Sequence, residues 1–320
     1  MITIDDIDIF LLSYNREKYI VEMIQSLKNQ TINLSTITIL DNGSTDNTKQ
    51  VIENLNNEYI KFIGNKENSG ALWNFQRAQK LASKEYTIFL HDDDLLHPNY
   101  FEYVLKALNE NENISLVCSG MASTINPLKD DFKKYNYNPI IYEHLSDFIA
   151  FIYLGFPLNF ATAVYKTENL KKVEIDFSTY GKIGDRPLMY DSIKNGNICF
   201  FSGQYIQYRI HQNQDSSNSK TGPYYNETIA LHKKYKDIIF SSHSVVSKLF
   251  FLINFYRYLK EEYDRFYDVK ISFDKYLKLA LNETNLSILQ INISKLLYFF
   301  KAYYIFKIYR AIKRKFGEYS

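Results

Sequence analysis

The 320-residue sequence predicts an α/β fold, in which a mostly parallel sheet is flanked by helices and followed by a helical C-terminal region. Three observations predict this fold. Over about the first 120 residues, short apolar runs alternate with segments of helical period. A polar loop follows each of the first four apolar runs. Beyond residue 222, the apolar residues recur instead in long segments of helical character.

Five short apolar runs predict the strands. They are rich in β-branched and aromatic residues and are apolar on both faces, which is typical of strands buried inside a parallel sheet. Their ranges are 7–12, 36–40, 59–63, 86–90 and 114–119.

Three helical segments lie between these strands. Apolar positions recur there at intervals of three and four residues, as at Ile20, Met23, Ile24 and Leu27; at Thr48, Val51, Ile52 and Leu55; and, less regularly, at Leu72, Phe75, Gln79 and Ala82. Strands that alternate with helices are joined by right-handed crossovers, so the sheet is expected to be mostly parallel.

Four polar loops follow the first four strands directly. They are SYNR at 13–16, DNGSTD at 41–46, NKENSG at 65–70 and HDDD at 91–94. Open parallel sheets bind ligands at the carboxyl ends of their strands, where the loops converge. A turn with a helix cap would explain one such loop, whereas four in succession predict a single binding crevice.

The chain is predicted to divide near residue 222. Shorter apolar segments with scattered Gly, Pro and Asn fill the region 121–222, and beyond it helices are predicted at 224–240, 244–263 and 294–316. We therefore expect an α/β domain over 1–222 and a helical region over 223–320, which would serve acceptor, membrane-surface or oligomer contacts.

Composition and charge narrow the function classes. The formal net charge of +2 gives no overall field that favours nucleic acid. Cys118 and Cys199 lack metal-ligand spacing and favour a reduced compartment. The first residues are acidic before their apolar run, unlike a secretory signal, and no stretch of about 18 apolar residues predicts a membrane span. We expect a cytoplasmic protein without a nucleic-acid partner.

Three consecutive aspartates, Asp92, Asp93 and Asp94, end the fourth predicted strand. Like charges at this position repel each other and resist desolvation, so a neutralising cation is expected. Mg²⁺ and Mn²⁺ take oxygen ligands, commonly one or two carboxylates together with phosphate oxygens. A helix cap before the segment 98–108 is the alternative, but it accounts for one aspartate better than for three.

The loop DNGSTD offers a second carboxylate at a strand end. Asp41 could accept hydrogen bonds from a ribose or a base, Gly43 suits a tight turn, and Asp46 suits the N-cap of the next helix. No glycine-rich phosphate loop of either common kind is found in the sequence, which argues against a dehydrogenase or a P-loop enzyme.

The ordered motifs SYNR, DNGSTD, NSG and HDDD resemble the nucleotide-binding half of family 2 glycosyltransferases, which have the GT-A fold, and in particular bacterial capsule and surface-polysaccharide enzymes. The resemblance runs from about residue 8 to residue 215. It implies inverting transfer of a sugar from a nucleotide-diphosphate sugar, UDP-sugar by default, to a hydroxyl of a glycan or lipid-linked acceptor, with Mn²⁺ or Mg²⁺ as cofactor.

The resemblance also implies roles for individual residues. Nucleoside contacts fall on Leu12, Tyr14, Asp41 and Asn68, with Asp41 at the base. The acidic motif of the family is usually Asp-x-Asp, and here His91 stands where its first aspartate is common. This alignment makes Asp93 the metal ligand, supported by Asp94, with Asp92 near the ribose or diphosphate. The competing assignment is Asp92 with Asp94.

Two later segments extend the resemblance. The segment 181–196 resembles the Glu-Asp motif of the family, in which Asp185 would be the catalytic base and Gly184 replaces the glutamate; a helix N-cap is the alternative. The segment 208–216 resembles the end of the catalytic domain, from which Arg209 and His211 could reach the diphosphate or the metal. A structural role for His211 is the alternative.

The segment 294–316 is both basic and aromatic, which suits an interfacial helix on anionic lipid near a lipid-linked acceptor. Its basic residues are Lys295, Lys301, Lys307, Arg310, Lys313, Arg314 and Lys315. A helix packed on the catalytic domain and a partner-binding helix are the alternatives.

Two other functions stay open from the sequence. A nucleotidyltransferase on a similar sheet would share the aspartates, but it would be expected to carry an early phosphate loop. A catalytically inactive GT-A binding module is kept open by the departures at His91 and Gly184.

Overall fold

The computed structural model describes residues 1–125, 132–153, 160–193, 196–211, 225–265 and 271–300. Within these ranges the strands are β1 Ile7–Ser13, β2 Ile37–Asp41, β3 Ile60–Gly64, β4 Tyr86–His91, β5 Leu95–Leu96, β6 Ile114–Thr124, β7 Pro139–Tyr142, β8 Val164–Lys166 and β9 Asn197–Arg209. The helices are α1 Ile20–Lys28, α2 Thr48–Glu53, α3 Ala71–Leu81, α4 Tyr100–Glu110, α5 Leu145–Tyr153, α6 Thr167–Leu170, α7 Phe177–Tyr180, α8 Asp185–Asp191, α9 Tyr225–Ser241, α10 Val245–Arg265, α11 Phe273–Thr284 and α12 Ile288–Phe299.

All nine described strands belong to one sheet. Its order is β3-β2-β1-β4-β8-β6-β9-β5, and β7 also pairs with β9. Strands β1 to β4, β6 and β9 share one direction, whereas β5, β7 and β8 run against it. The mostly parallel sheet flanked by helices is therefore confirmed.

The five predicted strands and the three helices between them all form, and β6 extends five residues beyond its predicted end. The sequence did not predict β9, because Ser202 and Gly203 interrupt its apolar pattern. At this point the pairing of β6 with β9 shifts register. A side chain at Gly120 would come within 2.9 Å of the Gly203 carbonyl oxygen, so glycine is required for the two strands to approach there.

Apolar side chains cover both faces of the central strands. One face carries the buried residues Ile9, Leu11, Ile88 and Leu90 against α1 and α4. On β1 and β4, Phe10 and Phe89 stack with ring centroids 6.0 Å apart. Each fully buried side chain of this size contributes about 1.5–3 kcal/mol, so this core fixes where the strands end and their loops begin.

The chain forms two compact units. The first comprises 1–143, 158–174 and 189–211 and contains the whole sheet; the second comprises 144–157, 175–188 and 212–320. The predicted division at 222 falls among residues 212–224, outside the described residues. No helix in the described part of the chain is long and apolar enough to cross a membrane.

The helical C-terminal region is confirmed where it is described. Helices α9 and α10 match the first two predicted segments, whereas α11 was not predicted. Of the segment 294–316, residues 294–299 form the end of α12, and the rest beyond 300 lies outside the described residues.

Candidate active site

The four polar loops meet at one edge of the sheet. Strands β3, β2, β1 and β4 are neighbours and parallel, so their carboxyl ends share that edge. The loops also contact one another directly: the Asn42 N–H donates to the Ser13 carbonyl at 2.9 Å, and the Tyr14 N–H donates to Asp92 Oδ2 at 3.1 Å. The convergence that the sequence predicts is therefore observed.

The first loop is attached to the second by successive hydrogen bonds. Three backbone N–H groups donate to side chains: Asn15 to the Ser44 hydroxyl, Arg16 to the Thr48 hydroxyl and Glu17 to the Asp46 carboxylate. In return, Asn15 Oδ1 accepts from the Thr45 N–H at 2.8 Å. Asn15 has φ 51°, a left-handed conformation that asparagine tolerates. This network directs the Arg16 side chain toward the aspartates.

The Asp41 carboxylate, predicted to reach the base, closes its own turn. It accepts hydrogen bonds from the Gly43 N–H at 3.1 Å, from the Ser44 N–H at 2.9 Å and from the Ser44 hydroxyl. Gly43 has φ 74°, and a side chain there would lie 2.5 Å from the Glu67 backbone, so only glycine fits. Asp41 is buried beneath this turn, and its contact with a base stays a prediction.

The other predicted nucleoside residues line the same edge. Leu12 lies in register between Leu40 and His91. Tyr14 is 37% exposed. Asn68 Oδ1 accepts from the Asn42 side chain at 2.8 Å and from the Gly70 N–H at 2.9 Å, so it orders the third loop.

The three aspartates are buried, and two of them, Asp92 and Asp93, share one arginine. Arg16 Nε lies 3.2 Å from Asp92 Oδ1 and 3.4 Å from Asp93 Oδ2. Burial and the neighbouring Asp93 raise the pKa of Asp92 to about 7, although Arg16 acts to lower it. The carboxylates are thus close enough to oppose each other's ionisation.

Asp94 is fully buried, and only one of its oxygens is hydrogen-bonded. Oδ1 accepts from the Arg209 N–H at 3.0 Å, whereas Oδ2 has no hydrogen-bond partner and lies 3.6 Å from His91 Nδ1. Burial raises the pKa of the Asp94 carboxyl group. A buried carboxylate oxygen without a hydrogen bond is costly, unless a cation or a ligand contacts it.

His91 faces the same oxygens. Burial alone would lower the pKa of His91, but the carboxylates of Asp94, Asp93 and Asp92 raise it to about 9. One potential ligand atom from each of His91, Asp93 and Asp94 lies within 4.8 Å of the others. These groups, which include the Asp94 oxygen that has no hydrogen bond, fit a divalent cation.

The end of β9 attaches to this cluster. His211 Nε2 lies 3.0 Å from Asp93 Oδ2, and its ring packs on Tyr19 with centroids 4.6 Å apart. Arg209 Nε donates to the Asp93 carbonyl at 2.8 Å, and its guanidinium pairs with Glu22 at 2.5 Å. Both side chains thus contact Asp93, and their contact with the diphosphate or the metal stays a prediction.

Asp185 is the one predicted site residue outside the first unit. It begins α8, in the part of the chain that belongs to the second unit, and its role as the base stays a prediction. The preceding Gly184 is buried, and a side chain there would approach Ile175 Cγ2 to 2.9 Å. Local packing therefore accounts for glycine where the family motif usually has glutamate.

Sequence reasoning missed two contributors. Arg16 lies in the loop SYNR, but the family resemblance assigns no role to it. His91 was treated as a departure from a motif rather than as a ligand. The signal for both was their position next to a strand end, but only the fold shows that they meet.

Comparisons with known proteins agree with this architecture. The model of glycosyl transferase family 2 matches residues 8–167, half of the chain. An uncharacterized glycosyltransferase of Haemophilus influenzae is 24% identical over 220 residues, covering 66% of this chain and 67% of that protein. The chondroitin synthase of Escherichia coli is 33% identical over 114 residues, which span 35% of this chain but only 16% of that protein.

The fold is shared with a solved structure. The crystal structure of S. aureus TarS residues 1–349 in complex with UDP-GlcNAc superimposes with a TM-score of 0.62 at 19% identity, covering 87% of this chain and 80% of that one. This likeness shows the GT-A fold. With the family match over half of its length, the chain belongs to glycosyl transferase family 2, and it is a glycosyltransferase that resembles surface-polysaccharide enzymes.

Proposed function

We propose that the enzyme transfers a sugar, with inversion, from a nucleotide-diphosphate sugar to a hydroxyl group of a glycan or lipid-linked acceptor in bacterial surface-polysaccharide synthesis. The observation that carries this proposal is the cluster of His91 with the buried Asp93 and Asp94 at the edge where four polar loops meet. In particular, Asp94 Oδ2 is buried without a hydrogen bond.

A divalent cation would be held by Asp93, Asp94 and His91, and His91 would lose its proton on binding because a metal takes the neutral imidazole. When bound, it supplies positive charge where the departing diphosphate becomes more negative. The imidazole in the ligand set favours Mn²⁺ over Mg²⁺, because nitrogen ligands suit transition metals. Arg16 would balance the remaining carboxylate charge of Asp92.

Asp185 is the proposed general base. It takes the proton of the acceptor hydroxyl, whose oxygen forms a bond to the anomeric carbon of the donor sugar. The bond from that carbon to the diphosphate breaks on the opposite face, and the electron pair leaves with the nucleoside diphosphate. A positioned general base typically contributes about 10²–10⁴-fold in rate.

UDP is the proposed nucleotide. Leu12, Tyr14, Asp41 and Asn68 are the proposed nucleoside contacts, and Asp92 and His211 are proposed near the ribose, the diphosphate or the metal. The structure of TarS with UDP-GlcNAc supports UDP as the first nucleotide to test.

A thermal-shift panel tests this proposal. UDP-, GDP-, CMP- and dTDP-sugars are each added with and without Mn²⁺, since a ligand that binds the native state raises the melting temperature. We expect one nucleotide sugar to raise the melting temperature only when Mn²⁺ is present. Asp93→Ala should lose this rise. The exposed Asp5→Ala is the matched control. If no nucleotide sugar raises the melting temperature of the wild-type protein, the crevice does not bind a donor, and the inactive binding module is favoured instead.

We also propose that the enzyme works at the cytoplasmic face of a membrane, through α12 and the basic segment after it. Exposed apolar side chains are frequent on α12 and directly after it, between exposed Asn292 and Lys295. They are Ile288, Leu289, Leu296, Phe299 and Phe300, which are between 56% and 80% accessible. The sequence from 301 to 316 then adds six basic residues. Apolar side chains beside positive charge suit a bilayer that contains anionic lipid.

Vesicle sedimentation tests the membrane contact. We expect the protein to bind vesicles of phosphatidylglycerol and phosphatidylethanolamine, but to bind phosphatidylcholine vesicles weakly. Phe299→Ser with Phe300→Ser should weaken binding about tenfold or more, because two aromatic side chains no longer enter the lipid. The matched control is Val245→Ser with Val246→Ser, which alters exposed apolar residues of α10. Equal binding to both kinds of vesicle would contradict the proposal.

A further inference from the structure

Trp73 is the only tryptophan of the chain, and it lies in the first turn of α3. It is 38% exposed, although large aromatic side chains in this unit are mostly buried. None of the motifs that the sequence resembles includes it. Its position in the fold makes it a candidate for ligand contact.

Two amide side chains attach the start of α3 to the end of β2. Asn74 Nδ2 donates to the Leu40 carbonyl at 2.8 Å, and Asn42 Nδ2 donates to the Gly70 carbonyl at 3.0 Å. Leu40 immediately precedes Asp41, the predicted partner of the base. The first turn of α3 is therefore fixed beside the Asp41 turn.

Arg77 connects the indole to the same strand ends. Its guanidinium lies over the Trp73 ring, 5.4 Å from the centroid, and donates to the Ile63 carbonyl at 3.2 Å and to the Asp41 carbonyl at 3.5 Å. A guanidinium over an aromatic face is attracted by the ring quadrupole, so this contact orients the indole. The indole is thus held beside the ends of β2 and β3, where Asp41 lies.

We infer that Trp73 belongs to the nucleobase subsite and stacks on the base of the donor nucleotide. This inference rests on the proposed nucleotide-sugar donor. Every base has a π face, so an indole contributes affinity for any nucleotide, commonly about five- to a hundredfold per stacked base. The polar groups of the Asp41 turn and of Asn68 would then discriminate between bases, because hydrogen bonds read the base edge.

The single tryptophan makes the test direct. Tryptophan emission is followed while UDP, GDP or inorganic pyrophosphate is titrated into the full chain with Mg²⁺, and binding is measured in parallel by calorimetry. We expect the nucleotide that binds to change the emission saturably, at the concentrations at which calorimetry records binding. Pyrophosphate lacks a base and should leave the emission unchanged.

Two variants separate stacking from structure. Trp73→Ala should weaken nucleotide binding about tenfold and leave pyrophosphate binding unchanged, whereas Trp73→Phe should restore most of the nucleotide affinity. Tyr59→Ala is the matched control. It removes another exposed aromatic residue, which lies directly before the start of β3.

The outcomes distinguish this inference from the proposed function. Nucleotide binding by calorimetry without an emission change, and with unchanged affinity in Trp73→Ala, would overturn the stacking role and leave the donor proposal intact. An equal loss of nucleotide and pyrophosphate binding in Trp73→Ala would also overturn it, since the residue would then only support the fold. If calorimetry detected binding of neither UDP nor GDP to the wild-type protein, the proposed nucleotide-sugar donor would be contradicted.

Discussion

Two buried polar clusters, one in each unit, differ in how completely their groups are paired. In the first unit, Asp92 to Asp94 lie beside Arg16 and His91, and one carboxylate oxygen has no hydrogen bond. In the second unit, the Tyr153 hydroxyl lies 2.7 Å from His232 Nδ1, and His232 Nε2 lies 2.8 Å from Glu262 Oε2.

The difference separates a binding site from a packing element. Both ring nitrogens of His232 have partners, and aromatic rings such as Phe255 surround it, so the network is satisfied without a ligand. The aspartate cluster instead combines raised pKa values for Asp92 and Asp94 with a carboxylate oxygen that has no hydrogen bond. Perturbed and incompletely paired groups in a crevice are typical of functional sites.

The largest expected effect would show that the second unit also contributes chemistry. Asp185→Asn should reduce sugar transfer about 10²–10⁴-fold, because the amide cannot accept the acceptor proton. Donor binding should stay close to that of the wild-type protein. Transfer is measured with a radiolabelled donor and binding by thermal shift.

Asp191→Asn, a change of the same chemistry at the end of the same helix, is the matched control for Asp185. If Asp185→Asn remained fully active, the assignment of the base would be wrong. The second unit would then have no assigned catalytic residue.

The second prediction concerns the charge of the aspartate cluster. Arg16→Ala leaves Asp92 and Asp93 without their shared cation, and we expect it to lower the free energy of unfolding by about 3 kcal/mol in EDTA. Mn²⁺ should restore much of this loss, since a bound cation compensates the same carboxylates. Denaturant unfolding with EDTA and with Mn²⁺ measures both values.

Arg16→Lys sharpens this result, because a lysine keeps the charge but cannot present the planar guanidinium to two carboxylates. Lys49→Ala, which removes an exposed cation from α2, serves as the control. If Arg16→Ala lowered the free energy of unfolding by the same amount in EDTA and in Mn²⁺, Arg16 and the metal would not compensate the same charges.

Much of the first unit could be predicted because its signals are local. The apolar runs of β1 to β4 and the polar residues directly after them specify both the strands and the edge of the site. The short strands β5, β7 and β8 gave no such signal, since two to four residues show no clear period.

The pairing of charges could not be predicted in the same way. Arg16 meets Asp92 across 76 positions of sequence, and Arg209 meets Asp93 across 116, so their contacts depend on how the strands are arranged. The network of Tyr153, His232 and Glu262 was likewise absent from the sequence reasoning, because each residue is unremarkable in its own helix.

The smallest expected effect tests the satisfied cluster of the second unit. His232→Gln should lower the free energy of unfolding by about 1–2 kcal/mol, because glutamine cannot pair with both the Tyr153 hydroxyl and the Glu262 carboxylate in the same geometry. Nucleotide binding should not change, since nothing in this network requires a ligand. His243→Gln, which alters an exposed histidine between α9 and α10, is the control. If His232→Gln instead abolished nucleotide binding while the protein stayed folded, complete hydrogen bonding would not distinguish packing networks from functional sites in this enzyme.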